Sequence, residues 1–180
     1  EVAEAPAGAT QFSPLVPGAG KLEDLAEGAL DSLTLLAPPG TVERRYAVAL
    51  GLKALAPGGP LTIFAPKDKG GSRLKKALEA FGCAVTEDAR RHHRFCHAAR
   101  PEAPTGLAQA IAAGSPRLVE GLGLWSQPGV FSWDRIDPGS AMLLELIPHL
   151  AGRGADLGCG IGVLAGPILA SPKVTGLTCS

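Results

Sequence analysis

The stretch Asp156-Leu157-Gly158-Cys159-Gly160-Ile161-Gly162-Val163-Leu164 constrains this chain more than any other. Three glycines stand at alternate positions, and an aspartate lies two residues before the first. Glycine reaches positive φ at little steric cost and has no Cβ. A backbone with this spacing can turn sharply and let a ligand approach where side chains would exclude it. The dinucleotide fingerprint requires G-x-G-x-x-G. Counted from Gly158, its last position is Val163, so that fingerprint fails. An ordinary strand-to-helix turn would use such glycines too.

Short apolar runs and glycine- or proline-rich breaks give the rest of the chain its rhythm. The run 33–37 ends at Pro38-Pro39-Gly40 and reads as a strand entering a turn. Thr41 can cap a helix over 42–55, with Val42, Ala49, Leu50 and Leu55 facing inward and Pro57-Gly58-Gly59 stopping it. A second strand is expected over 61–65. A helix carrying Leu74, Leu78 and Phe81 follows over 70–81, with strands at 83–85 and 93–98. Weaker helical spacing marks 22–30, the first 20 residues read as loop, and 107–113 and 140–150 read as helices. Residues 174–179 read as a strand. Strands alternating with helices imply an α/β sheet with helices on its faces.

Composition supplies limits. An apolar fraction of 46% allows a packed core, but with 4% aromatics Leu, Ala, Val and Ile must build it. No apolar run approaches the ~18 residues of a membrane span, so no membrane partner is expected. No basic region leads an apolar run at the start, so no secretory signal is read. Cys83, Cys96, Cys159 and Cys179 have no CxxC spacing, and the expected setting is a reducing cytoplasm.

The formal net charge is zero, but the charge is unevenly spread. Residues 1–32 hold Glu1, Glu4, Glu23, Asp24, Glu27 and Asp31 against Lys21. Residues 67–100 hold an excess of bases, including Lys75, Lys76, Arg90 and Arg91. Such a patch can attract a polyanion, or it can be a solvated face balanced by the acidic N-terminus. His92, His93, Cys96 and His97 do not converge as metal ligands on a strand, because His93 and His97 share one face and His92 and Cys96 the other. No metal is expected. Trp125 and Trp133 read as linker packing, and Ser132 and Ser140 lack the setting of a hydrolase nucleophile.

The D-x-G-x-G-x-G form resembles motif I of the class I methyltransferases, where the loop passes under S-adenosylmethionine. Ahead of it stand Pro128-Gly129-Val130-Phe131-Ser132, Asp137-Pro138-Gly139-Ser140 and Leu143-Leu144. These resemble the opening of the catalytic domain in the bacterial small-subunit ribosomal RNA guanine-N2 methyltransferase family. Pro66-Lys67-Asp68-Lys69-Gly70-Gly71, Arg73-Leu74 and Arg91-His92-His93-Arg94 resemble that family's noncatalytic N-terminal domain. The likeness runs from about residue 11 to the end and is most specific over 125–164.

The resemblance implies an α/β, Rossmann-like methyltransferase fold. A degenerate domain over 1–114 would precede a linker and the start of the S-adenosylmethionine-binding domain over 115–180. It implies Phe131, Ser132, Asp156, Gly158, Cys159, Gly160 and Gly162 as cofactor-binding residues, and Lys75, Lys76, Arg90 and Arg91 as contacts to RNA. The partner would be ribosomal RNA or the small ribosomal subunit, with no DNA. The implied reaction is methyl transfer to guanine N2; a methyltransferase with another substrate and a noncatalytic RNA-binding or folding-helper module are the alternatives. Ala37-Pro38-Pro39-Gly40 occupies the slot where an active domain carries Asn-Pro-Pro-aromatic, and Ala37 cannot accept the hydrogen bond of a base amine. The ribose-binding carboxylate is expected at or just beyond Ser180 and the catalytic motif later still. No catalytic residue is therefore assigned, and the chain alone is expected to be inert. Arg153-Gly154-Ala155 makes a poor motif-I strand, and Pro167 falls inside the helix expected after Gly162, where it would cost ~3 kcal/mol or force a kink.

Overall fold

The structure, a computed structural model, describes residues 7–13, 16 and 18–180. Part of the expected N-terminal loop, with Glu1 and Glu4, lies outside the described residues. The chain divides into two compact units, Glu1–Gly114 and Ser115–Ser180.

The first unit is a four-stranded sheet with helices. Strand β1 (Leu33–Leu36) leads into α1 (Thr41–Ala54), which returns to β2 (Pro60–Pro66) in parallel register, Leu35 opposite Ile63. Helix α2 (Leu74–Glu79), preceded by a 3-10 turn at Gly71–Arg73, leads to the antiparallel pair β3 (Thr86–Arg90) and β4 (His93–Ala99). The strand order is β1-β2-β4-β3, and helix α3 (Leu107–Gly114) closes the unit. Strand alternation sorts the side chains. Leu61, Ile63, Ala65 and Cys96 join Val48, Leu52, Leu74, Leu78, Phe81 and Ala110 in one buried cluster.

Several expectations shift here for local reasons. Gly40, not Thr41, is the N-cap of α1; it sits in extended backbone and its N–H donates to the Glu43 carboxylate. Val42 is exposed in the first turn, while Ala49, Leu50 and Leu55 are buried as expected. Residues 83–85 form no strand. The Cys83 N–H donates to Leu78 O at 3.2 Å, closing the end of α2, and the thiol drops into the core. The strand starts three residues later and is exposed throughout, so it carries none of the apolar signal of an inner strand. Arg91 and His92, both at positive φ, make its two-residue turn into β4. Only Leu22–Asp24 of the expected 22–30 helix is helical, as a 3-10 turn, and Leu30 instead bridges Leu55.

The second unit is built of small pieces. A hairpin, β5 (Arg117–Val119) with β6 (Leu124–Ser126), occupies what reads in the sequence as linker. Helix α4 (Pro138–Leu146) starts at the Asp137 cap and ends short of the expected 150. Pro148 holds the preceding Ile147 in extended backbone, which stops it. Strand β7 (Gly152–Asp156) pairs in parallel with β8 (Val174–Cys179), with a register shift between Gly152 and Arg153. Helix α5 (Ala165–Leu169) between them is only five residues long. Pro167 sits in its first turn, where a missing N–H costs least.

Candidate cofactor-binding site

Asp156 is the last residue of β7, and the glycine loop leaves the sheet directly from it. Gly158, Gly160 and Gly162 have φ of 75°, 54° and 80°, the left-handed region that favours glycine. A Cβ at Gly158 or Gly160 would meet nothing within 4 Å, so conformation, not crowding by protein atoms, demands glycine there. The loop is tied to the end of β8. Gly158 N and Cys159 N donate to Ser180 O at 2.8 and 3.1 Å, and Ser180 N donates to Asp156 O at 3.1 Å. Gly162 N donates to Cys159 O at 2.8 Å, and Gly166 N to Gly162 O at 3.2 Å, which carries the loop into α5.

Asp156 Oδ2 is buried without a hydrogen-bond partner. A buried carboxylate oxygen left unpaired is costly, and a cationic donor would relieve that cost. The Cys159 and Cys179 side chains interact, and burial first and the Cys159 thiol second raise the pKa of Cys179. Leu157 points outward at 81% exposure, whereas Val163 and Leu164 are half-buried.

Of the seven sequence-derived cofactor residues, Gly158, Cys159, Gly160 and Gly162 therefore share one loop, and Asp156 stands directly before it at the end of β7. Phe131 and Ser132 lie elsewhere, on a turn between β6 and α4. Phe131 is 78% exposed, and Ser132 holds φ at 50°, unusual for a residue with a side chain. Next to them, Asp137 Oδ1 accepts from Gly139 N and Ser140 N at 3.0 and 3.2 Å, and Oδ2 accepts from Ser140 Oγ at 2.6 Å. The Ser140 hydroxyl above all holds the Asp137 carboxyl below its ordinary pKa. Trp133 packs under the Arg117 guanidinium at 5.1 Å, while Trp125 is exposed.

In the first unit the basic residues separate. Lys75 pairs with Glu87 at 3.7 Å on the side of the sheet that α2 covers. Arg90 lies over the Phe95 ring at 4.3 Å on the opposite side, and Arg91 is in the β3–β4 turn. Among the described residues no group of three metal-ligating side chains occurs; Cys96 faces the core and His97 the other side.

The Pro-Pro turn holds a residue that the sequence reading overlooked. Arg44 is 1% exposed and donates through Nη1 to Pro38 O and Pro39 O at 3.3 and 2.8 Å. Desolvation by burial, then the charge of Arg73, lower its pKa. Ala37 is buried and its N–H donates to Phe64 O. The turn is thus closed by protein groups. An arginine in a helix reads as solvated, and only the paired carbonyls of Pro38-Pro39 hint otherwise.

Residues 121–180 match the family described as the methyltransferase small domain. The ribosomal RNA small subunit methyltransferase C of Stutzerimonas stutzeri is 36% identical over 142 residues, 77% of this chain and 42% of that protein. The protein of the same name from Pseudomonas paraeruginosa is 35% identical over 159 residues, 86% of this chain and 48% of its own length. The chain spans less than half the length of these relatives. Among solved structures, the T. thermophilus 16S rRNA N2 methyltransferase, in complex with AdoMet and guanosine, is 26% identical with a TM-score of 0.66. That match covers 88% of this chain and 46% of the other. The fold is the Rossmann-like α/β fold of that methyltransferase.

Proposed function

We propose, for a chain that belongs to the ribosomal RNA small subunit methyltransferase C family, that its 115–180 unit forms the methionine-end wall of an S-adenosylmethionine site. The site serves methylation of guanine N2 in small-subunit ribosomal RNA. The observation that carries this reading is the pairing of an unpartnered, buried Asp156 Oδ2 with three positive-φ glycines at the end of β7. Asp156 is proposed to accept from an ammonium group, and Gly158, Cys159, Gly160 and Gly162 to supply backbone that a ligand can approach closely; the unpartnered Asp156 Oδ2 and the positive-φ glycines support this reading. The bound cofactor supplies an electrophilic sulfonium methyl group. The protein's task is then to orient donor and acceptor and exclude water. Phe131 and Ser132 are proposed to border the same cofactor.

The 1–114 domain is proposed to be noncatalytic, because Arg44 fills the space behind its Pro-Pro turn and Ala37 offers no acceptor side chain. It is proposed to hold RNA through the basic residues Lys75, Lys76, Arg90 and Arg91. The setting is cytoplasmic with the ribosomal subunit; among the described residues no helix is long and apolar enough to cross a membrane.

Gly160→Val tests the site. A branched side chain at Gly160 would fill the open space through which the ligand is proposed to approach the backbone, so binding of S-adenosylmethionine in calorimetry should be abolished. In cells lacking the gene, one N2-methylguanosine should disappear from small-subunit RNA, the native gene should restore it and Gly160→Val should not. Full complementation by the variant would sink the assignment.

A further inference from the structure

All three helices of the first unit join the buried cluster on one side of its sheet. Strand register defines what the other side presents. Leu36, Phe64 and Phe95 stand in one row across β1, β2 and β4. The Phe64 and Phe95 rings stack at 5.1 Å with planes 9° apart, and the Arg90 guanidinium covers Phe95. On either side of this row lie His93, whose ring is 6.2 Å from Phe64, and His97, bonded to the Thr62 hydroxyl at 3.1 Å. Leu36 at the end of the row is 60% exposed.

We infer that this helix-free sheet face binds an unpaired stretch of RNA, its bases lying on the Leu36–Phe64–Arg90 strip and its phosphates toward the β3–β4 turn. The inference deepens the ribosomal RNA reading above and rests on it. Charge selects the occupant. Arg91 and His92 form the turn at one end of the face, and Lys67 N donates to His92 O at 2.9 Å, which brings the Lys67 segment to the same end. A stacked aromatic pair carrying a guanidinium plane, with cations at one end, matches unstacked bases joined by phosphates. An RNA duplex buries its base faces and cannot use the strip. Asp88 lies on this face too, 3.6 Å from His97 Nε2, so the His97 row is the less cationic side. Lys75, engaged with Glu87 on the helix side, lies outside this surface.

The test is binding of a fluorescent single-stranded RNA of mixed sequence to the full chain, with an RNA duplex as competitor. Leu36→Glu places a negative charge on the strip without touching the core and should weaken binding roughly tenfold, the loss of about one stacked base. Arg90→Gln should weaken it too, and Arg91→Gln, at the phosphate end, should lower the salt slope by about one. Lys53→Gln, in the last turn of α1 on the helix side of the sheet, should change little. Parent-like binding by both Leu36→Glu and Arg90→Gln, with native circular dichroism, overturns the surface. Equal competition by duplex overturns it as well. So does a native chain that self-associates through this face, seen as a dimer that Leu36→Glu dissociates without altering RNA binding. Failure of the methyl-transfer reading would appear separately, in the Gly160→Val complementation, which does not involve Leu36.

Discussion

A Cβ placed on Gly70 would lie 2.3 Å from Nη1 of Arg44. That nitrogen also donates to Pro39 O, so one buried guanidinium binds the Pro-Pro turn after β1 and packs against the loop after β2. Gly70 has φ of 96°, which a side chain resists even without the contact. Gly70→Ala should destabilise the first unit by ~2–4 kcal/mol, read as a lower urea midpoint with unchanged slope. In an Arg44→Met background the same change should cost less, because the guanidinium clash is gone and only the backbone strain and a 3.2 Å contact with Pro39 O remain. Equal costs in both backgrounds would show that Arg44 does not fill the space.

The contrast between Arg44 and Leu74 explains what the sequence could reveal. Leu74, Leu78 and Phe81 repeat at helical spacing, and that period leads directly to the core. The glycine loop was legible for a similar reason, since alternate glycines have few uses besides positive φ. Arg44 was not legible, because its burial depends on carbonyls that only the folded turn presents. Strand β3 was missed because an exposed edge strand, Thr86–Arg90, needs no apolar alternation. The division of Lys75 from Arg90 depends on strand register, which no single segment encodes.

Gly114 offers a sign test of helix packing. A Cβ there would sit 2.3 Å from Cβ of Tyr46, where α3 crosses α1. Replacing glycine by alanine inside a helix ordinarily gains ~0.5–1 kcal/mol. Here Gly114→Ala should instead destabilise by ~1–3 kcal/mol, because two backbones must move apart. A raised melting temperature for the variant would contradict the close crossing.

Asp137 makes the start of α4 sensitive to acid. Its folded pKa lies below the ordinary value, chiefly through the Ser140 hydroxyl and then the Ser140 amide. A depressed folded pKa adds stability that is complete above the unfolded value, ~3.9, and is lost as pH falls through the lower folded value. Amide protection at Gly139 and Ser140 should therefore stay level down to about pH 4 and decline below it. Asp137→Ala should abolish that acid-dependent decline and leave both amides weakly protected at every pH. A protection profile in the variant that still tracks pH would assign the effect to another group.

The four thiols should separate into two classes by reactivity. The thiolate is the reacting species, so both burial and a raised pKa slow alkylation. Cys96 is fully buried, and desolvation first and the charge of Glu87 second push its pKa up to about 11. Burial alone raises that of Cys83, which lies in the same core. Cys179 is exposed on the last strand, and Cys159 is half-buried in the glycine loop. At pH 8, iodoacetamide should label Cys159 and Cys179 in the native chain and reach Cys83 and Cys96 only in denaturant, as peptide mass spectrometry would show. The Cys179 pKa is raised by its own desolvation first and then by the neighbouring Cys159. Replacing Cys159 by serine removes that neighbour and should speed the labelling of Cys179. Labelling of Cys96 in the native chain, at a rate like that of Cys159, would mean that β4 opens to solvent far more often than a strand paired on both sides should.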